Sequence, residues 1–329
     1  MKALFRTEGN NRQGLGDIYG CLAIAAALDQ HGYNSEFVFC LPENCVDIVV
    51  ERGYRAHQAH GDDLQLMAAL APDVIIVNML DSADGYIEEL RALGATVVTI
   101  DDTASGAQAA DLRINPLYHT ENAVCDTKFI MLRDVFAKLH AQPRSVSPEV
   151  DKLLIMQGGA DTYGFLPKLI DALGMMSARP GCTVVVGAAF RHEIELEQAV
   201  YRSPLEIRVC RNVPDIERLM QTADLAISAA GLSVFELACL GTPTVTVCAE
   251  PFEIETADRL AANDAIVNLG FGGDLDMTVV PETIDALAAN YGHRLALSTN
   301  AHTLVDGRGS ERIAQAIVNV SGRTTCTTG

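Results

Sequence analysis

The chain has 329 residues and a formal net charge of −19, from 43 acidic and 24 basic side chains. It is 49% hydrophobic and 20% charged and has no Trp, which excludes disorder over most of its length and supplies apolar surface for two ordinary cores. An acid excess this large repels phosphate backbones and anionic lipid, so neither nucleic acid nor a membrane surface is an expected partner. A small phosphorylated ligand, held by local backbone dipoles, stays allowed.

Residues 1–7 (MKALFRT) are too few and too soon charged for a signal peptide, and no apolar run approaches the roughly 20 residues that a spanning helix needs. Cysteines at 21, 40, 45, 125, 182, 210, 239, 248 and 326 form no C-x-x-C pair. That scatter suits reduced thiols better than a disulfide framework, and the expected location is cytoplasmic.

In chain order, residues 2–5 read as a strand, followed by a polar, glycine-bearing loop over 9–16. The spacing of Ile18, Leu22, Ala25, Ala26 and Leu28 predicts a helix over 17–31. A strand at 36–40 and short helices at 47–53 and 62–70 come next. The run DVIIVN (73–78) reads as a strand of the kind buried in parallel sheets. A helix over 82–93 stops at Gly94, a strand over 96–100 runs into Asp101-Asp102, and segments 111–115 and 129–132 complete the half. The polar, proline-punctuated stretch 141–150 (AQPRSVSPEV) is the expected linker.

The second half restarts the rhythm, with strands at 152–157, 183–186, 207–209, 225–228 and 244–248. Helices are expected at 163–173, 192–201, 215–221, 233–240, 255–263, 281–290 and 309–318. Strands alternating with helices of about ten residues predict βαβ units and parallel sheets. The expected organisation is α/β, with two doubly wound domains, 1–145 and 146–320, facing a cleft. Residues 321–329 form a frayed polar tail in this reading. No internal repeat of fixed period is visible.

Ligands of open parallel sheets bind where strand carboxyl ends feed helix N-termini, which selects three loops. The first, 6–17 (RTEGNNRQGLGD), runs through Gly14 and Gly16, which let backbone N–H groups approach a ligand, to Asp17. Asp17 reads as an N-cap or as a general base at the cleft. The second, 157–161 (QGGAD), puts Gly158 and Gly159 in a tight turn or against a diphosphate or sugar. The third, 228–236 (SAAGLSVFE), ends a strand and opens a helix. Small Ala230 and Gly231, with Ser233 placed to cap, can cradle a diphosphate on exposed N–H groups. Glu236 reads equally as the capping-box partner of Ser233 or as an acceptor of ribose hydroxyls.

Other polar positions have plainer first readings. Asn78 and Asp81 follow a strand and can line the cleft, although Asp81 reads first as a turn or cap. Asp101-Asp102 read as Asx turns. His57 and His60 read as a solvated surface pair rather than a zinc site. Segment 250–255 reads as surface charge that can still reach the cleft. No carboxylate pair is spaced to hold Mg²⁺ beside a diphosphate, so no metal is expected.

Eight segments in register then resemble a known family over nearly the whole length. They are GLGDIYGCLAIAAAL (14–28) after the first strand and Arg6, DVIIVN (73–78), GATVVTIDD (94–102), ADLRIN (110–115), KFIMLRDVF (128–136), LLIMQGGAD (153–161), NVPDIERLMQTADLAISAAGLSVFELACLGTP (212–243) and DGRGSERIA (306–314). They are similar to the UDP-sugar hydrolases of the pseudaminic-acid pathway and to the related spore-coat polysaccharide proteins, described as predicted glycosyltransferases. The closing half also resembles the nucleotide-binding half of the lipid II N-acetylglucosaminyltransferase.

The resemblance implies a GT-B fold, two Rossmann-like domains with a cleft between them and UDP on the C-terminal one. Gly158, Gly159, Val213, Gly231, Leu232, Ser233 and Glu236 would surround the nucleotide. Val213 would meet the base through its backbone, 231–233 the diphosphate and Glu236 the ribose. The N-terminal domain would supply the catalytic group. There the hydrolases carry Gly-His, with the His activating water, and commonly an Arg three residues on. This chain has Asp17 and Gly20 instead, and Leu80 where a tyrosine is expected.

The implied activity is hydrolysis of a UDP-activated amino-deoxy sugar, of the UDP-2,4-diacetamido-2,4,6-trideoxyhexose type, at the anomeric carbon. It would release UDP within nonulosonate or surface-polysaccharide biosynthesis. Asp17 would activate the water, and Asn78 and Asp81 would hold the sugar. Transfer from a nucleotide donor to a sugar hydroxyl demands the same site, and a binding homologue that has lost its base is the third reading. No cofactor is implied beyond the nucleotide of the substrate.

Overall fold

A computed structural model describes residues 1–8, 16–40 and 45–325. Gly14, like the rest of 9–15, lies outside the described residues, as do 41–44 and 326–329.

The first unit is built from β1 (Lys2–Thr7), α1 (Gly16–Gln30), β2 (Asn34–Phe39), α2 (Cys45–Glu51), β3 (Arg55–Gln58), α3 (Asp63–Leu70), β4 (Val74–Asn78), α4 (Tyr86–Ala92), β5 (Thr96–Ile100) and β6 (Leu112–Ile114). Its six strands are parallel, in the order β3-β2-β1-β4-β5-β6. Every residue of β4 and of β5 is buried, as expected of strands covered on both faces.

The second unit spans Val135–Asp306. It takes most of α5 (Asp134–His140), then β7 (Lys152–Met156), α6 (Phe165–Leu173), β8 (Gly181–Val186), α7 (Glu193–Arg202), β9 (Ile207–Arg211), α8 (Ile216–Thr222) and β10 (Leu225–Ser228). It continues with α9 (Leu232–Cys239), β11 (Thr244–Cys248), α10 (Ile254–Ala261), β12 (Val267–Phe271), α11 (Val279–Ala289) and α12 (Tyr291–Leu304). Its parallel sheet runs β12-β11-β10-β7-β8-β9. Counted within each unit, both sheets have the order 3-2-1-4-5-6. The topology therefore repeats where the sequence shows no repeat.

From Gly307 the chain returns to the first unit, where α13 (Gly309–Thr325) packs. Ile313, Ala314 and Ile317 enter the core formed by Phe5, Ile18, Leu22 and Ile24. Full burial of an Ile contributes about 1.5–3 kcal/mol. This second neighbour explains why nine of the fifteen residues of α1 are buried, all round the helix. Only glycine fits at 309, because a Cβ there would stand 1.9 Å from the carbonyl oxygen of Ile130. The helix runs on past 321, with Ser321 Oγ 2.7 Å from Tyr33 Oη, so residues 321–325 are helical where a frayed tail was expected.

The stretch 141–150 is strapped down rather than free. Arg144 donates to the carbonyls of Gln221 (2.8 Å) and Ala223 (2.7 Å). Arg294 is fully buried and donates to the carbonyls of Ser147 and Pro148 as well as Leu287 and Ala288. These bonds hold the stretch within the second unit, and the division falls at 134/135 rather than at 145/146.

Arg294→Ala should lower stability by about 3 kcal/mol or more, because it strands four carbonyl acceptors and leaves a cavity. Thermal and urea denaturation of the variant and the parent measure this, and a loss under 1 kcal/mol would show that the strap is unimportant.

Candidate functional site

The strand order makes the winding direction reverse between β1 and β4 in the first unit and between β7 and β10 in the second. At such a reversal the loops leave the sheet on opposite faces and open a crevice at the strand carboxyl ends. Each of the three sequence-selected loops starts at one of these four strands, although the first is described only to Glu8 and again from Gly16.

In the first unit, Gly16 opens α1 and Asp17 lies in its first turn. Asp17 is exposed over the residue as a whole, yet the surrounding protein withdraws part of the hydration of its carboxyl. That desolvation pushes it up to about 6 from 3.8. A helix N-terminus favours the carboxylate, so desolvation is the larger effect here. One turn on, the buried Cys21 thiol donates to Asn78 Oδ1 at 3.5 Å, and Thr7 Oγ donates to the same oxygen at 3.3 Å. Asn78 Nδ2 donates to the carbonyl of Ile100 at 3.2 Å. Asn78 is thus a buried tie between β1, α1, β4 and β5, and it fixes the turn that carries Asp17.

Asp81 is exposed and caps nothing, since α4 has Gly85 as its N-cap. Beside the same strand ends, Arg6 pairs with Asp63 at 2.6 Å and also with Glu8, and Tyr86 Oη donates to Asp63 at 2.8 Å. Gly20 faces Met131, whose side chain would lie 3.1 Å from an added Cβ. A side chain at that helix position would need Met131 to shift by a few tenths of an ångström.

In the second unit, Gly158 takes a left-handed φ of +68°, and open space lies where Cβ atoms on Gly158 or Gly159 would be. The turn is braced from behind by Gly187, where a Cβ would stand 2.4 Å from the Gly159 carbonyl oxygen. Asp161 is buried and accepts the N–H groups of Phe165 (2.7 Å) and Leu166 (2.8 Å), which ties the turn to α6. Gln157 is 1% exposed, and neither its Oε1 nor its Nε2 has a partner among the described residues.

The N-cap of α9 is Gly231, with no side-chain cap bond. Leu232 and Ser233 are therefore the first two helical residues, and the reading of Ser233 as the cap is corrected. With it goes the capping box that competed for Glu236. Glu236 is half-buried on α9, and Val213 is half-buried just beyond β9, after the left-handed Asn212.

Other first readings also shift. Of the acids in 250–255, Glu253 is buried rather than surface charge, and its carboxylate accepts the N–H groups of Ala230 and Ala249. His57 lies on β3 and pairs with Glu36 at 2.8 Å rather than with His60. Asp102 forms the expected Asx turn with Ala104 N–H at 3.0 Å. No helix among the described residues is long and apolar enough to cross a membrane. Gln157, Gly187 and Glu253 are the positions that sequence reasoning did not select. The Gln-Gly-Gly run was a signal for the first; for Gly187 there was none.

No protein-family model matches the chain. An uncharacterized protein of Methanocaldococcus jannaschii, MJ1062, is 25% identical over 279 residues, covering 78% of this chain and 58% of its own. The spore coat polysaccharide biosynthesis protein SpsG of Bacillus subtilis is 26% identical over 163 residues, covering 49% of this chain and 48% of its own. The chain spans about half the length of these curated relatives. The crystal structure of Acinetobacter baumannii MurG matches with a TM-score of 0.71 at 16% identity, over 97% of this chain and 99% of that one. Two six-stranded parallel sheets and this likeness define the fold as that of the GT-B glycosyltransferases.

Gly187→Ala should disrupt the 158–159 turn, because a backbone segment must move to admit the methyl group. A loss of about 1–3 kcal/mol is expected, with amide NMR shifts concentrated at 157–161 and 186–190. Unchanged spectra there would show that the close approach is dispensable.

Proposed function

We propose that the protein processes a nucleotide-activated sugar, hydrolysing a UDP-linked amino-deoxy sugar at the anomeric carbon in surface-polysaccharide biosynthesis. The observation that carries this reading is the place of Asp17 in the first turn of α1, after β1 at the β1/β4 reversal, where desolvation pushes its carboxyl up to about 6. A carboxylate with that value is ionised at neutral pH and basic enough to take a proton from water in the transition state.

In the reaction, water attacks C1 and the bond from C1 to the diphosphate oxygen breaks. The water proton passes to Asp17, and UDP leaves with the bonding pair. Asn78 acts as a positioning residue for the Asp17 turn, and exposed Asp81 is assigned to sugar hydroxyl or amide groups. In the second unit, the open side of Gly158-Gly159 and the N–H groups of Gly231, Leu232 and Ser233 receive the diphosphate. Glu236 receives the ribose and the Val213 backbone the base. The spore-coat polysaccharide relative supports a place in polysaccharide biosynthesis.

Glycosyl transfer is the second reading, favoured by the fold shared with the calicheamicin glycosyltransferase CalG4. Here a sugar hydroxyl takes the place of water and Asp17 takes its proton.

The test is nucleotide release from a panel of UDP-sugars in water, with and without acceptor sugars. Release in water alone supports hydrolysis, and release only with an acceptor supports transfer. Because Asp17 must be ionised to act, activity should rise with pH through about 6 and then level off. Asp17→Asn should remove that ascending limb and about 10²–10⁴-fold of the rate. An unchanged rate in this variant would remove Asp17 from the mechanism.

A further inference from the structure

The turn assigned to the diphosphate already holds an anion of the protein's own. Glu253 lies in the short 3-10 turn Pro251–Glu253 between β11 and α10 and is only 9% exposed. Its Oε2 accepts the N–H of Ala230 at 3.1 Å and that of Ala249 at 2.7 Å. Its Oε1 stands 3.2 Å from the place a Cβ on Gly231 would take. The carboxylate therefore reaches under the residue that opens α9 and takes the first N–H of the cradle. Gly231, Leu232 and Ser233 remain for a ligand.

Among the described residues, no cation is set against Glu253. The ionisable groups set against it are Glu250 in its own turn and the Cys248 thiol at the end of β11, with Asp258 of α10 beyond that thiol. The loop 228–233 between β10 and α9 contributes none. Burial raises the Glu253 carboxyl above the usual carboxylate range, and its N–H bonds offset this only in part. A second anion brought to Gly231–Ser233 meets a fixed negative charge, in a place where water screens poorly.

Sugar-linked and free nucleoside diphosphates differ in charge at the end that would face Glu253. The sugar blocks the terminal phosphate, whereas the free diphosphate exposes it, and such a group ionises a second time near pH 6. Resting on the nucleotide reading of this unit, we propose that Glu253 sorts ligands by that charge. It leaves the sugar-linked nucleotide tolerated and disfavours the free nucleoside diphosphate. Breaking the bond at C1 creates the disfavoured charge in place, so the same carboxylate speeds departure of the product. Ligand phosphate near Glu253 also raises the proton affinity of its carboxyl, so binding favours proton uptake there.

The experiment is isothermal titration of the parent and of Glu253→Gln with UDP and with UDP-N-acetylglucosamine at neutral pH. Gln keeps the shape and one acceptor oxygen while removing the charge. The variant should bind UDP about tenfold more tightly and the sugar-linked probe with less than half of that gain on a logarithmic scale. Equal changes for the two probes, or none, would overturn the charge sorting while leaving the nucleotide site intact. Failure of the parent to bind either probe would overturn the nucleotide reading itself, and this inference with it.

A measurement that leaves Glu253 in place covers the case in which its variant folds poorly. Heats of binding UDP-N-acetylglucosamine, whose phosphates do not titrate near neutrality, are compared in buffers of different ionisation enthalpy for Asp17→Asn, which removes the raised carboxyl assigned to the reaction of this ligand. Proton uptake on binding is expected as pH falls from neutrality, and its absence overturns the proposal.

Discussion

The chemistry this chain can do depends on one constraint, the reversal of winding at the centre of each parallel sheet. Inside β4, β5, β10 and β11 every residue is buried, and a parallel ladder consumes the polar groups of the backbone. The carboxyl ends of β1 and β4, and of β7 and β10, are where loops diverge and leave N–H groups for other partners. Within the first unit the topology brings Asp17 and Asn78 to those ends, and within the second it brings Gly158 and Gly231, although each pair is far apart in sequence. Asn78 shows the coupling most directly, since one side-chain oxygen receives both Thr7 of β1 and Cys21 of α1.

The use of cations follows a consistent pattern. Arg144 and Arg294 are spent on backbone carbonyls of the second unit, and Arg6 is spent on Asp63 and Glu8. The turns 157–161 and 228–233 contain neither Lys nor Arg. Buried guanidiniums here fasten loops, and the turns of the second unit offer an anion backbone N–H dipoles of their own rather than Lys or Arg. A net charge of −19 is compatible with such a site because those dipoles act only over the first turn of a helix.

The fold was legible in the sequence wherever burial is two-sided. Segment 73–78 read directly as a strand because of its continuous apolar run, and 96–100 and 244–248 because nearly all their residues are β-branched. Of the four edge strands, β6 and β9 fall on segments already marked at 111–115 and 207–209, whereas β3 and β12 escaped notice. β3 is Arg-Ala-His-Gln and half-buried, and β12 carries Asn268 and Gly270 in a run that no periodicity marks. The return of α13 to the first unit was also invisible, because its apolar stripe shows that a partner exists without showing which.

At the site, the sequence located the loops but not the state of their side chains. The spacing of Ser233 and Glu236 imitates a capping box, while the backbone places the cap two residues earlier, at Gly231. Three acids in 250–255 look alike in sequence, and only the turn at Pro251 decides that Glu253 points inward.

The hydrolases that the sequence resembles carry His where this chain has Asp17, and the difference can be weighed in energetic terms. Free imidazole titrates near 6.5 and free Asp near 3.9, so that difference alone would leave a poor base. Desolvation closes most of that gap by bringing Asp17 to about 6. The two bases then share a titration range but differ in charge, since His begins neutral and ends cationic whereas Asp begins anionic and ends neutral. In the proposed reaction the protonated Asp17 offers no attraction to the departing diphosphate, whereas a protonated His would. An Asp-based site therefore has to stabilise the leaving group by other means, which places that demand on the N–H groups of Gly231, Leu232 and Ser233.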